Sequence, residues 1–582
     1  MQSRQIPFLL CSFLILLQLQ GCVTGVRREG SRKPAAVEVA IIGGGLSGLT
    51  AAHRLKIASE KMEHQNLSLK VHVYEARKRL GGRVFTTLIN GAPIEMGGQY
   101  FEDGGDAKEI RQLVEDLGLK TKTYSRISPS LFLHEESDKK SLVRTQLLKM
   151  LEDVIPKVER MVTDRDRAEI VQLLKSLEMK SKNMDEVLNG FFGAKAKKAL
   201  AEGNGERAHA YSVLNDYYHV GIMIYESMPT SRLAPTYATG SFLRFFLSME
   251  DDYRTLNEGK NPVPFVGTSV DGGNAKLVEA LERSILAKDG DIQYGMPLTE
   301  LRKELNESYT LTFKNGERAH ADIVVMTVPT TVYKNIQFVG SPIPHAQLEE
   351  IKKIPYGSVG KIQMPVQSED PTQLNGSLRT SDMVTWFNGD RVRDAKNPSG
   401  VMTFYFSGNS SLLAMPFDRL GQAGASSDKE TGRRYEEELN AVRLAFPHVI
   451  LAPHETPDLV QAPLEKQFVS YTQPVGINWA VEEYSKGGYS AISFEQAALF
   501  SPEQLRSYLG ETVFQVFQPV LPSINVGNCD YCGLYFAGEH TATQGTPATL
   551  EGAVHSGNKV GRQIPVRLRE VGEELVRLKA DH

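Results

Sequence analysis

A nearly all-apolar run from Val37 to Ile42, followed at once by Gly43-Gly44-Gly45-Leu46-Ser47-Gly48, constrains this chain more than any other stretch. Such a run suits a parallel strand covered on both faces. The glycines after it form G-x-G-x-x-G at a strand-to-helix turn, where each has its own task. Gly43 permits the tight turn, Gly45 lets a pyrophosphate approach the backbone, and Gly48 lets the following helix pack on the strand. A helix from Leu46 to about Lys56 then aims its N-terminal amides and positive dipole end at the phosphates. A second strand, with Leu69, Val71 and Val73 alternating, ends at Glu75, whose carboxylate is placed to accept hydrogen bonds from ribose hydroxyls. Glu75 follows Gly48 by 27 residues rather than the usual ~20, and the polar stretch Ser59 to Asn66 absorbs the excess. Strand, turn, helix and terminal acid together point to a bound dinucleotide.

The chain has 582 residues, more than one hydrophobic core fills, so two large lobes are expected. A net charge of -4 offers no broad positive field, which argues against nucleic acid as a partner. At the start, Arg4 precedes an apolar run from Ile6 to Leu19 and then Gly21-Cys22, which reads as a signal sequence over residues 1–22. The run is short for a bilayer span, and Pro7 and Gln18 weaken it further. Leu19-Gln20-Gly21-Cys22 resembles a bacterial lipobox, so the expectation is export. The protein would be periplasmic or held at the membrane by a lipidated Cys22, or otherwise simply secreted. Residues 23–36, basic through Arg27, Arg28, Arg32 and Lys33, read as a tether. Beyond Cys22 the only cysteines are Cys529 and Cys532. A lone C-x-x-C lacks the second ligand pair of structural zinc, so no metal is expected, and disulfide and free thiols both stay open.

Glu75-Ala76-Arg77-Lys78-Arg79-Leu80-Gly81-Gly82-Arg83 resembles the E-A-R-x-x-x-G-G-R segment of the flavin-containing amine oxidases, the family of monoamine oxidases, polyamine oxidases and the oxidase domain of lysine-specific histone demethylases. Arg77 and Arg83 would neutralise phosphate charge there. The resemblance continues through Glu95-Met96-Gly97-Gly98-Gln99-Tyr100, where Gly98 and Gln99 would lie near the flavin, and through Asp271-Gly272-Gly273. It takes in the strands around Ile292 to Leu301 and Ala321 to Pro329, where Leu298 would meet the adenine through its backbone. Near the C-terminus, Leu534 to Thr541 and Glu551 to Val554 resemble the family's second FAD signature. Glu539 would bind a ribityl hydroxyl, and the backbone at Thr549 and Leu550 would face the electron-rich end of the isoalloxazine. The resemblance implies an α/β fold. Its Rossmann-like FAD-binding domain is discontinuous, from residues 37–105, 262–335 and 486–565, beside a mixed α+β substrate-binding domain from 106–261 and 336–485. Within the latter, about Asp106 to Tyr253 reads as strongly helical, with Leu147, Leu148, Leu151, Ile155 and Val158 at helical spacing, and Gly421 to Thr431 reads as a polar loop. Residues 566–582 read as a separate, charged closing helix.

Two further segments select amine oxidation among flavin reactions. Tyr356-Gly357-Ser358-Val359-Gly360-Lys361 resembles the segment bearing the family's flavin-adjacent lysine, which makes Lys361 the first catalytic candidate, with burial lowering its pKa. Asn478-Trp479 to Gly488-Tyr489 resembles the monoamine-oxidase pattern in which a tyrosine walls an aromatic cage. Tyr489 takes that place, and Trp479 braces the lysine. The sequence departs from monoamine oxidases at two positions. Gly488 stands where they attach FAD to cysteine, implying noncovalent FAD, and Thr549 stands where they place the second cage tyrosine, implying a wider amine site. Glu482 and Glu483 read as a solvated acidic loop, with attraction of a polycation as the alternative. The implied reaction moves hydride from an amine-bearing carbon to flavin N5, gives an imine and then an aldehyde, and reduces O2 to hydrogen peroxide. The alternatives are an L-amino-acid oxidase using Arg232 or Arg244, a protoporphyrinogen-oxidase or desaturase-like enzyme, and a non-catalytic flavin-binding surface lipoprotein.

Overall fold

The computed structural model describes residues 35–62, 67–101, 107–124, 130–133, 151–153, 165–166, 169, 172–173, 182–226, 230–232, 267–374, 376–387, 399–415, 428–451, 459–462, 465–490, 518–521, 529–542 and 548–580. The expected signal sequence, Cys22, Leu147, Leu148, Ile155, Val158 and Arg244 lie outside them. Among the described residues no helix is long and apolar enough to cross a membrane.

The glycine turn is anchored in a five-stranded sheet whose order is Gly533–Phe536, Ile323–Met326, Ala35–Ile42, Leu67–Glu75, Asp291–Tyr294, with every pair parallel. Its strands come from both ends and the middle of the chain. Alternation along Val37 to Ile42 sorts the two faces. Val37, Val39 and Ile41 pack against the Leu46–Met62 helix and the C-terminal helix Leu550–Ala580. Ala40, Ile42 and Tyr74 join Leu301, Tyr309 and Phe313 from a four-stranded sheet on the other side. The first strand begins at Ala35, inside the expected tether.

The two helices approach closely because the C-terminal one presents glycines. A Cβ on Gly557 would lie 2.5 Å from the Ser47 carbonyl oxygen, and one on Gly561 would lie 2.5 Å from Arg54 Cβ. Ser47 and Ser556 hydroxyls meet at 2.8 Å in the contact. The closing helix expected from residue 566 starts earlier: Leu550–Ala580 is one helix with Pro565 inside it. Its charged sequence hides a buried stripe, Ile564, Leu568 and Val571, that continues from Val554 and Val560 into the same core.

The second lobe is built on a nine-stranded sheet ordered Val460–Gln461, Val475–Asn478, Val359–Ser368, Ser399–Ser407, Met383–Phe387, Ser377–Arg379, Ser130–Leu133, Leu151–Asp153, with Val449–Leu451 also pairing Val359–Ser368. Ile362, Met364, Phe404 and Phe406 pack under the Asp428–Ala445 helix through Tyr435 and Val442. The opposite face carries Lys361, Gln363, Thr403 and Tyr405 toward the nucleotide lobe. Two local expectations are corrected here. The stretch from 106 to 253 is not uniformly helical, since Thr121–Tyr124, Ser130–Leu133 and Leu151–Asp153 are strands. Leu151 sits at helical spacing but pairs with Leu133 across a sheet edge, a partner that periodicity cannot reveal. The polar stretch through Thr431 is helical from Asp428.

Candidate active site

At the nucleotide end, two glycines are required by the chain itself and one is left open. Gly43 has φ +111°, and a Cβ there would lie 2.7 Å from Thr327 Oγ1. A Cβ on Gly48 would lie 2.1 Å from the Gly43 carbonyl oxygen, a backbone clash that nothing can relieve cheaply. A Cβ on Gly45 would meet nothing within 4 Å, so this turn presents bare backbone to open space, as a pyrophosphate cradle demands. Gly81 and Gly82 back the turn: Gly81 N–H donates to the Gly44 carbonyl at 2.8 Å. The Glu75 carboxylate sits beside the turn, accepting the Gly44 amide at 2.8 Å and the Arg77 amide at 2.9 Å. Leu298 lies nearby because Met296 N–H donates to the Glu75 carbonyl, and its side chain is buried beside Tyr74 and Phe313.

The two arginines expected at phosphate both have carboxylate partners within the protein. Arg77, 8% exposed at its side chain, pairs with Glu482 through both arms of its guanidinium, reaches Glu75 at 3.4 Å, and donates to Ser485 at 2.9 Å. Burial alone would lower its pKa, but Glu75 and Glu482 outweigh that and hold it above the ordinary arginine value. Glu482 is therefore neither a solvated acid nor a lure for polycations; Glu483 is exposed and lies 3.3 Å from Lys314. Arg83 donates to the Gly488 carbonyl at 2.6 Å and to Glu539 at 3.0 Å, and lies over the Tyr356 ring.

Glu539 accepts from Arg83, the Ser490 amide at 3.1 Å, the Ser490 hydroxyl at 2.6 Å and the Ala548 amide at 3.1 Å. It ties three loops together. Burial pushes its carboxyl up, yet the Arg83 charge and the hydrogen bonds from Ser490 and Arg83 prevail and hold it below the usual range. Next to it, burial lowers His540 to about 4, and its Nδ1 lies 2.8 Å from the Tyr356 hydroxyl.

The chemical end is organised around Lys361, 4% exposed, whose Nζ donates to the Gly97 carbonyl at 2.7 Å and, at 3.4 Å, to the Glu95 carbonyl and Gln99 Oε1. Burial lowers its pKa to about 8 against an opposing pull from Glu95. The Met96–Gln99 segment is pinned from several elements at once. Trp479 Nε1 donates to the Met96 carbonyl at 3.0 Å, and Asn274 donates to the Gly98 and Gln99 carbonyls at 3.0 Å. A Cβ on Gly98 would lie 2.8 Å from the Leu550 side chain, so this segment abuts the C-terminal helix. Thr549 caps that helix, its hydroxyl accepting the Gly552 amide at 3.0 Å. The structure thus brings Lys361, Trp479, Gly98, Gln99, Thr549 and Leu550 to one place, where helix amides and a neutralisable lysine meet.

Tyr489 stands beside a tyrosine the sequence reading missed, with its hydroxyl 3.1 Å from that of Tyr405. Tyr405 lies opposite Lys361 in register, its ring centroid 5.9 Å from Nζ, and Trp386 continues the wall 6.2 Å beyond. The alternation of the Gly400 to Ser407 strand held the signal, but only pairing with Lys361 makes it specific. A Cβ on Gly488 would lie 2.7 Å from Val359, so no side chain fits where a covalent flavin link would start. Arg232 is exposed in a short turn at Thr230–Arg232. Cys529 and Cys532 are joined in a disulfide.

The family model described as flavin containing amine oxidoreductase matches residues 46–565. Probable polyamine oxidase 4 of Arabidopsis thaliana is 26% identical over 346 residues, 58% of this chain, and the match spans only 59% of that protein's length. Probable flavin-containing monoamine oxidase A of Dictyostelium discoideum is 23% identical over 544 residues, 91% of this chain and 98% of that protein. Among solved structures, a putrescine oxidase carrying a single substitution superposes with a TM-score of 0.57 at 18% identity, over 92% of this chain and 100% of that one. At that identity the likeness concerns the fold.

Proposed function

This chain belongs to the flavin-containing amine oxidoreductases and is FAD-dependent, and from that premise we propose that it oxidises an aliphatic amine to an imine that water hydrolyses to an aldehyde. When bound, FAD accepts a hydride at N5 from the amine-bearing carbon and passes two electrons to O2, giving hydrogen peroxide. The bare backbone at Gly45, the Glu75 carboxylate and the amides at the start of the C-terminal helix would hold it, noncovalently. Lys361 would take a proton from the incoming ammonium, directly or through a water, because at a pKa of about 8 roughly a tenth of it is neutral at pH 7. Tyr489 and Tyr405 would orient the amine by their electron-rich faces, with their joined hydroxyls fixing both rings. Trp479 and Asn274 would keep the Met96–Gln99 carbonyls in place for Lys361. A wall of Tyr489, Tyr405 and Trp386 without a tyrosine at Thr549 favours an extended alkylamine, such as a diamine or polyamine, over a compact aromatic monoamine.

The observation that carries this reading is a buried lysine of lowered pKa hydrogen-bonded to the glycine segment that abuts the helix terminus. Anaerobic titration of the flavin-loaded protein with mono-, di- and polyamines and with amino acids tests it. Bleaching of bound flavin by an amine is expected. A flavoprotein that no amine bleaches, or that amino acids bleach while simple amines do not, would overturn it.

A further inference from the structure

The Cys529–Cys532 bridge lies away from all of this chemistry, at the start of the Gly533–Phe536 strand whose far end leads to Glu539. It closes a tight turn in which Cys532 N–H also donates to the Cys529 carbonyl at 3.0 Å. A loop this short constrains the unfolded chain less than a longer one would. The two sulfurs are unlike: Cys532 is 0% exposed, while Cys529 keeps part of its surface. Asp322 faces them both. Its Oδ1 lies 3.7 Å from Cys529 Sγ, its Oδ2 accepts the Glu38 amide at 2.9 Å, and one oxygen and both sulfurs lie within 4.8 Å of one another. Among the described residues no cation pairs with this carboxylate. Burial raises its pKa, Glu38 adding to the rise and the Glu38 amide opposing it. A half-buried carboxylate with one oxygen turned to a sulfur is a proton acceptor for the corresponding thiol.

We propose that Cys529 and Cys532 form a reversible dithiol–disulfide centre in which Cys529 is the exchanging sulfur and Asp322 its proton acceptor, with small-molecule or protein disulfides as partners. In the reduced pair, Asp322 takes the Cys529 proton, and the thiolate attacks one sulfur of the external disulfide. A mixed disulfide forms on Cys529, and the first partner thiolate leaves and takes the proton from Asp322. Cys532 then attacks Cys529 sulfur, closing the internal bridge, and the second partner leaves as a thiol with the Cys532 proton. The two cysteines lose two electrons, and the external disulfide gains them as two thiols. An external dithiol runs the sequence backwards.

The test uses the full, flavin-loaded chain. It is reduced with excess dithiothreitol without denaturant, reoxidised with oxidised glutathione, and quenched at intervals with a maleimide before peptide mass mapping. Expected are labelling of Cys529 in the native protein, glutathione trapped on Cys529, and reoxidation slowed about tenfold or more by Asp322→Asn. Asparagine still accepts the Glu38 amide, and flavin content and melting temperature report whether the variant folds. If it does not, trapping in the unsubstituted chain decides the matter. A bridge reducible only after denaturation, glutathione trapped on Cys532, or an unchanged rate in a folded Asp322→Asn protein would overturn the proposal.

Discussion

Replacing Lys361 with Met should cost activity without costing stability, and the structure gives both magnitudes. Burial brings Lys361 from 10.5 to about 8. At about 1.4 kcal/mol per pH unit, the folded state therefore carries a penalty of ~3 kcal/mol for keeping this lysine protonated. The sign follows from proton counts. Below pH 8 the lysine is protonated in both folded and unfolded chains, and the full penalty is present. Between pH 8 and 10.5 the unfolded chain binds more protons than the folded one, so the lysine's contribution to stability rises with pH by that same ~3 kcal/mol. Methionine does not titrate and removes the penalty, but it takes the lysine donor from the Gly97 carbonyl, a loss of about 1–3 kcal/mol, while Gln363 still donates to the Glu95 carbonyl. Near pH 7 the two effects roughly cancel, and by pH 10.5 the variant should be the less stable by about 1–3 kcal/mol. Urea unfolding of both proteins at a series of pH values measures this difference. Stopped-flow flavin reduction by an amine should fall about 10²–10⁴-fold in the variant, and in the unsubstituted protein the rate should rise with pH toward a plateau above about pH 8. A stability difference that does not change with pH, or amine turnover that survives the substitution, would refute the reasoning.

Arg77→Met should destabilise the protein by about 3–5 kcal/mol and release flavin, because it strands the buried Glu75 and Glu482 carboxylates without their cation. Denaturant unfolding and flavin content measure this, and adding Glu482→Gln should restore part of the loss. Gly45→Ala should fold and melt like the parent while binding FAD at least about tenfold more weakly, since its methyl enters open space where the backbone meets the cofactor. Gly48→Ala should destabilise the apoprotein by about 1–3 kcal/mol, because its methyl meets the Gly43 carbonyl at 2.1 Å. Apoprotein unfolding and flavin titration of both variants separate packing from binding.

What was legible in the sequence is what short-range geometry enforces. The turn needs glycine at Gly43 and Gly48, because a positive φ at the first and a 2.1 Å backbone contact at the second exclude side chains there. Strand alternation likewise sets which of Val37 to Ile42 face the helices, and the glycine, lysine and Tyr489 segments carried enough pattern to indicate flavin and amine chemistry. What only the tertiary structure decided is which distant group each charge meets. Arg77 and Glu482 are separated by 405 positions, and Arg83 and Glu539 by 456, so no local pattern showed that they pair with each other. Tyr405 entered the wall for the same reason, through its register with Lys361 across the sheet, and the buried stripe of the closing helix came from a partner helix more than 500 residues earlier. Backbone sterics act between neighbours and are written in sequence order. The pairing of charges, rings and helices acts through space, and it exists only once the sheets have set their register.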